Sequence, residues 1–483
     1  MSRRLALFVI GNLALLTAAT VAYSGPVTKT FRALPGVGRW TQDFVLRWFV
    51  LLGTVLALAA LAYIYLGPKP PSPLVRSDGE GYYVYLPAYV IHHDPTLRAV
   101  AADLAHGVPA APDLGKGLTR DPATGNFLDR FPIGEAILML PFFLVGHLLA
   151  IITGSELDGY SRFEQALAGI SGLLYMFAGV WVLRSLLMRY FTQGVVLATL
   201  VSVVFGTNVF HYATYDAIFS HAYSFFLITL LVLLTVRFYE DQRHRIRDAV
   251  VLGVIAGLIV LVRNQNALVL LLVPLLGVGS VADVRNRLRF IVRNWFLFGV
   301  MAAVTLVLFV PQMLVWHVAT GRWLVFSYEG YGGNGSTSFM WTNPTFPAVL
   351  TSFNPHGLLP WAPILIFAIA GFIPLRRMQP RLFYAVFAVA VLNLYVIASW
   401  FAWHYGGGFG HRQFVDTMAL AALPLAAFYA WLKPGFLRGA IFVVASAFIL
   451  ATTIQAYNYW QGLIPFAGLG ARSYFRLLFT GQP

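Results

Sequence analysis

Cysteine is absent from the 483 residues, which excludes disulfides, thiolate metal ligands and a cysteine nucleophile. Charge is also scarce. Asp, Glu, Lys and Arg together make up 11% of the chain, against about 25% in soluble domains, too few to build a water-facing surface. Acidic residues are the rarest, 19 against 33 Lys and Arg, so each carboxylate outside a charged connection stands out. Neither glycine-rich stretch is followed by a Walker lysine or set in a strand-turn-helix context, which removes nucleotide-loop readings.

What the chain has in excess is apolar sequence, 59% of its residues. Runs close to the ~20 residues needed to cross a hydrocarbon core about 30 Å thick recur from end to end. Hydropathy predicts helices at 5–23, 44–66, 132–153, 163–189, 194–211, 219–238, 248–262, 266–282, 294–318, 357–375, 382–402, 414–432 and 437–457. The expected fold is an all-α polytopic membrane protein with about 12 transmembrane helices (roughly 11–13), forming one domain over 1–483. Met1-Ser2-Arg3-Arg4 and the apolar stretch to Ala22 have the outline of a signal peptide without a strong small-residue cleavage site, so an uncleaved helix is expected. Inverted repeats of the transporter kind are not evident.

The net charge of +14 would suit nucleic acid if it were gathered on a folded surface, but it lies in short connections between apolar runs. One set of connections carries Arg184 and Arg189; Arg237, Arg243, Arg245 and Arg247; Arg285, Arg287, Arg289 and Arg293; Arg376, Arg377 and Arg381; and Lys433 and Arg438. The alternating set holds only Arg263, Arg322 and Arg412. By the positive-inside rule the first set is cytoplasmic and the second external, and no nucleic-acid partner is expected. Segment 132–153 contains Pro132, Gly134, Glu135, Pro141 and His147, so it is read as interfacial or re-entrant. Residues 67–160 then form an external loop with interfacial helices, 24–43 are cytoplasmic, and 320–356 form an external loop suited to act as a lid. The side of the N-terminus depends on whether 5–23 spans.

Four polar stretches on the external side carry chemistry. Ser77-Asp-Gly-Glu-Gly-Tyr-Tyr places Asp78 and Glu80 at a membrane boundary among glycines, where a carboxylate can accept a proton from a hydroxyl nucleophile, and Tyr82 and Tyr83 offer faces for a sugar ring. The turn from Gly206 to Ala222 holds His211, Asp216 and His221; such ionisable groups either serve function or tie helix ends together. Trp400 to Asp416 combines a triple glycine with His404, His411 and Arg412, suited to hold a phosphate, and Arg263 is a second cation on that side. Loop 327–343 supplies Tyr328, Tyr331 and Trp341 to grip a glycan. A divalent cation, Mg or Mn, held by Asp78, Asp216 and a histidine remains open, because the ligand count cannot be read from sequence.

Taken in order, these stretches, with Leu261-Val-Arg-Asn-Gln-Asn-Ala, Asn354-Pro-His-Gly-Leu-Leu-Pro-Trp-Ala-Pro363 and Gly408-Phe-Gly-His-Arg412, resemble the bacterial integral-membrane glycosyltransferases of the GT-C superfamily. The resemblance implies a helical bundle with interfacial helices after the first external loop, a polyprenyl-phosphate-linked sugar donor, a glycan or lipid acceptor, and the first-loop acid Asp78 as base. It implies a bacterial cytoplasmic membrane location with the active site outside. An extra N-terminal helix and the lack of an obvious large soluble C-terminal domain depart from the family pattern. Other readings of the same residues are a lipid-linked-sugar flippase and a glycan polymerase or ligase.

Overall fold

A computed structural model describes residues 75–105, 117–241, 243, 245–328, 339–354 and 356–482. The expected helices at 5–23 and 44–66, and residues 329–338 of the external loop, lie outside the described residues. The described elements are α1 (Asp78–Tyr83), α2 (Arg98–Ala105), an antiparallel pair β1 (Leu118–Arg120) and β2 (Phe127–Asp129), α3 (Gly134–Thr153), α4 (Arg162–Leu187), α5 (Gln193–Phe205), α6 (Val209–Thr214), α7 (His221–Glu240), α8 (Ile246–Val262), α9 (Leu272–Leu275), α10 (Val281–Arg293), α11 (Trp295–Thr320), α12 (Phe346–Thr351), α13 (Leu365–Met378), α14 (Pro380–Ser399), α15 (Met418–Trp431), α16 (Phe436–Trp460) and α17 (Ala471–Thr480). Six of these, α3, α4, α7, α11, α14 and α16, are long and apolar enough to cross a membrane. The chain is a multi-pass membrane protein with an all-α framework. The expected total of about 12 spans is not reached among the described residues, where further apolar helices such as α5 and α15 are shorter.

Expected boundaries and observed ones differ where local chemistry interrupts an apolar run. The helix expected at 266–282 is instead a 3-10 segment, Asn264–Leu271, then the four residues of α9, then a stop. Gln265 and Asn266 hold their side chains in tertiary hydrogen bonds, Pro274 lacks a donor, and Gly277 adopts a left-handed φ of 87°. The arginines expected in a connection at 285–293 lie on α10, whose first turn is capped by Ser280 Oγ accepting from Asp283 N. The helix expected at 194–211 ends at Phe205, and that expected at 357–375 starts at Leu365, because Pro360 and Pro363 and the Trp361 Nε1 bond to the Asn354 carbonyl hold turns there. Helix α17 has no counterpart in the hydropathy reading, since its apolar residues cover one face only; it packs Tyr474 against the buried Trp361 at 5.1 Å between ring centroids.

Two packing features position the site. Helices α4 and α7 run in the same direction side by side, with Ser171 Oγ and Tyr223 OH 2.6 Å apart, and α7 turns through the Arg243 and Arg245 connection into α8. The polar ends of α7 and α8, His221 and Arg263, therefore meet at one end of the bundle, and the arginine-rich turn lies at the other. Helix α3 starts against the finish of α8: a Cβ on Gly134 would sit 2.3 Å from the Leu261 carbonyl carbon and 2.6 Å from Val262 N, and Ile133 N donates to Gln312 Oε1 at 2.8 Å. The flanks of α3 both return to α1. Phe131 packs on Tyr82 with centroids 4.8 Å apart, and Gly159 O accepts from Tyr83 OH at 2.6 Å. A capping box at Ser161 and Glu164 starts α4, and His147 of α3 pairs with Glu164 Oε1 at 2.7 Å, fastening the two helices.

Candidate active site

Asp78 opens α1 directly after Ser77, a non-glycine residue held at φ 52°, ψ −131°. Such a conformation costs on the order of 1–3 kcal/mol and persists only where its surroundings impose it. It aims Asp78 at Arg412, whose Nη2 lies 2.7 Å from Asp78 Oδ2; the side chains keep 28% and 7% of their exposure. The acidic first loop and the glycine-rich hairpin near 410, more than three hundred positions apart in the sequence, are in direct contact. Glu80, two residues on, falls on nearly the opposite face of the turn. It is buried, and its charge acts on Asp129 and Tyr160, so the two carboxylates that the sequence placed together point to different surroundings.

The hairpin is shaped by close approach. Tyr405 and Gly406 take left-handed φ values of 55° and 78°, and Gly410 has φ 59° where any Cβ would lie 2.2 Å from Asn208 Nδ2. The turn thus seats against the Asn208–Tyr212 stretch, and Tyr212 OH receives Phe409 N at 3.0 Å. Arg412, buried, donates Nη2 to both Asp78 and the Tyr405 carbonyl. Burial opposes its charge, but Asp78 outweighs this and keeps its proton more firmly bound than usual. Its Nε and Nη1 are buried with no hydrogen-bond partner among the described residues.

A second network centres on Asp416, fully buried just before α15. It accepts from His221 Nδ1 at 2.7 Å and from Asn266 Nδ2 at 2.9 Å, and Arg263 Nε lies 3.4 Å away. Burial disfavours the Asp416 carboxylate, yet Arg263, His221 and Asn266 together hold its pKa below the ordinary value. Arg263 also donates to Gln413 Oε1 and to Ser220 Oγ, and Ser220 Oγ donates to Tyr82 OH at 3.0 Å. Tyr82, Ser220, Arg263, Gln413 and Asp416 are therefore joined by continuous polar contacts, which in a low-dielectric interior makes the arrangement stiff.

Asp216 anchors a third cluster. Arg76 Nη2 lies 2.8 Å from its Oδ1 and His211 Nε2 2.9 Å from its Oδ2. Trp460 Nε1 donates to His211 Nδ1 at 2.9 Å, so Nε2 carries the proton and donates to Asp216. Burial pushes the His211 pKa down and favours the neutral ring, which leaves Arg76 as the charge partner; against its own burial, Asp216 is held well below the carboxylate range by Arg76 and His211. Burial likewise lowers His411 to about 3 and His356 to about 4. A histidine whose pKa is depressed on folding stabilises the native state fully above its unfolded pKa, and that stability is lost as pH falls towards the folded value. Acidification from about pH 7 to about pH 5, across the unfolded histidine pKa of about 6.5, will lower the thermal midpoint of the detergent-solubilised protein. In the variant His411→Phe the drop will be smaller, measured by differential scanning fluorimetry at both pH values.

Of the remaining site residues expected from sequence, Tyr328 stands near Asp78, Arg263 and Arg412, with burial first raising its pKa to about 12, and its ring meets Trp400 at 5.7 Å between centroids. His404 accepts from Gly406 N at 3.1 Å and faces His356 at 5.5 Å. Tyr83 is turned away, buried against Phe143 and Tyr160. Arg76, Asn266, Gln413 and Ser220, and the carboxylates Glu135 and Asp416, join the site beyond the residues expected from sequence. The carboxylates Asp416 and Glu135 carried a signal, since acidic residues beside apolar runs are rare here. Asp78 and Asp216 are each engaged by a different arginine, and among the described residues no three His, Asp or Glu side chains gather as a metal-ligand set.

No family model matches the sequence, and no curated protein is similar to it by sequence. Solved structures are similar to it in fold. They include ArnT from Cupriavidus metallidurans in the apo state, 15% identical, with a TM-score of 0.49 over 87% of this chain and 66% of that one. ArnT from the same organism bound to undecaprenyl phosphate is 14% identical, with a TM-score of 0.46 over 86% of this chain and 67% of that one. The apo oligosaccharyltransferase of Archaeoglobus fulgidus is 15% identical, with a TM-score of 0.46 over 85% of this chain and 55% of that one. This chain spans about two thirds or less of the length of these proteins.

Proposed function

We propose that this protein transfers a sugar from a polyprenyl-phosphate carrier to an acceptor hydroxyl at the external face of a bacterial cytoplasmic membrane. The observation that carries the reading is the Asp78–Arg412 pair. One oxygen of a partly exposed carboxylate meets a buried guanidinium that has two further donors without protein partners. A base for the incoming hydroxyl and a cation for the departing phosphate thus stand side by side. The acceptor oxygen attacks the anomeric carbon and its proton passes to Asp78. The bond from that carbon to the phosphate oxygen breaks, and the lipid phosphate leaves as an anion stabilised by Arg412 and Arg263. Charge supports this side: the arginine-rich turn between α7 and α8 lies at the end of the bundle opposite the site, as the positive-inside rule requires of an external site. The return of both flanks of α3 to α1 supports reading that helix as interfacial.

A flippase built from these residues would place ionisable groups along a path through the bilayer. Here they cluster at helix ends on one side, which favours transfer chemistry. Purified protein in detergent, with no gradient, will release polyprenyl phosphate from a labelled polyprenyl-phosphate sugar in step with acceptor glycosylation. Arg412→Gln will raise the KM for the donor by about tenfold or more, the scale of a charge-assisted contact of ~1.5–3 kcal/mol. Movement of intact donor between leaflets of proteoliposomes, with no product in detergent, would replace this reading by transport.

A further inference from the structure

Glu135 has a place in the site that the sugar-transfer chemistry above does not use. It is fully buried in the first turn of α3, and neither carboxylate oxygen has a hydrogen-bond partner among the described residues. The charged groups whose fields reach it are Arg263, Asp416 and Asp78, and it acts in turn on Tyr82. It therefore faces the same cluster as the proposed base. Arg263 makes its ion pair with Asp416 and a hydrogen bond to Gln413, so Glu135 is near a cation already engaged elsewhere.

The position of Glu135 is fixed by backbone packing. Gly134 admits the Leu261–Val262 backbone where a side chain could not fit, and Gln312 holds Ile133 N. The backbone that carries Glu135 is thereby pinned against the end of α8, one residue before Arg263. A buried carboxyl group without partners is costly. Where folding maintains such a group rigidly, the missing donors are expected from a ligand.

We infer that Glu135 is the specificity-determining residue for the glycosyl group of the donor, accepting hydrogen bonds from its hydroxyls. The inference rests on the sugar-transfer reading and deepens it. Burial raises the Glu135 pKa well above the ordinary carboxyl value, so the group offers an oxygen that accepts and an O–H that donates, and a sugar hydroxyl can meet both. A site built to meet hydroxyls also discriminates strongly against ligands that leave its polar groups unmet.

The test measures binding to the full-length protein in detergent for three probes: farnesyl phosphate, farnesyl-phosphate-linked glucose and farnesyl-phosphate-linked tetrahydropyran, which lacks the hydroxyls. The native protein will bind the glucose conjugate at least tenfold more tightly than farnesyl phosphate, and the tetrahydropyran conjugate more weakly than the glucose one. Glu135→Leu will reduce both differences to under about threefold, leave farnesyl phosphate affinity unchanged, and keep or raise the thermal midpoint, because a buried polar group without partners has been removed. A Glu135→Leu protein that keeps the native order of the three probes, or a native protein that does not distinguish the two conjugates, overturns the role of Glu135 and leaves the transfer reading standing. Failure of the native protein to bind any of the three removes the lipid-phosphate donor, and with it both proposals.

Discussion

Asp78→Asn protein will transfer sugar about 10²–10⁴-fold more slowly than the native protein, the range that a positioned general base contributes. Asparagine keeps the shape of the side chain and can still meet Arg412 through its oxygen, so donor binding should change little and the loss should fall on kcat. Asp78→Glu restores a carboxylate at a longer reach and will recover part of the rate. Single-turnover transfer from labelled donor, compared at saturating donor and acceptor, measures both variants. Undiminished turnover by Asp78→Asn would remove Asp78 from the chemistry. The strained Ser77 backbone would then need another explanation.

Asp416→Ala will have the largest effect on stability. Asp416 is wholly buried and accepts from His221 and Asn266 beside Arg263. Its removal leaves a guanidinium in a low-dielectric interior without its counter-ion. Breaking a buried pair from one side costs ~3–5 kcal/mol, enough to lower the thermal midpoint by several degrees or prevent accumulation of folded protein. Asp416→Asn keeps acceptor capacity for His221 and will lose less. The double variant Asp416→Asn with Arg263→Gln, which removes both charges, will be more stable than Asp416→Ala. Equal thermal midpoints for Asp416→Ala and the native protein would show that Arg263 does not depend on this partner.

The hydropathy pattern located most helices within a few residues of their ends, as for α4, α7 and α11, because apolar length is what a bilayer selects. It failed where an apolar composition hides a local instruction. Around Asn264–Leu275 the side-chain amides bond to distant residues and a proline interrupts the ladder, and at α10 alternating arginines form an amphipathic helix that a hydropathy average scores as a polar connection. The site residues expected from sequence were chosen by rarity and by their neighbours in the chain. The fold gathers Asp78, Arg263, Arg412 and Tyr328 in one place. It turns Glu80 and Tyr83 elsewhere, because on a helical turn adjacent residues face different surroundings. Asp416 was read as the end of a motif and not as a site carboxylate, although it anchors Arg263 and His221.

The sequence by itself determined that this is a multi-pass helical membrane protein with its rare polar residues concentrated at helix ends, because the bilayer acts on composition and length, both of which are local. Only the tertiary structure decided which of those residues meet. Contact between Asp78 and Arg412, between Asp416 and Arg263, and the placement of Glu135 beside them depend on backbones that approach closely at Gly134 and Gly410. They also depend on hydrogen bonds that join positions over a hundred residues apart. No pattern along the chain encodes such approaches, since they follow from how whole helices pack.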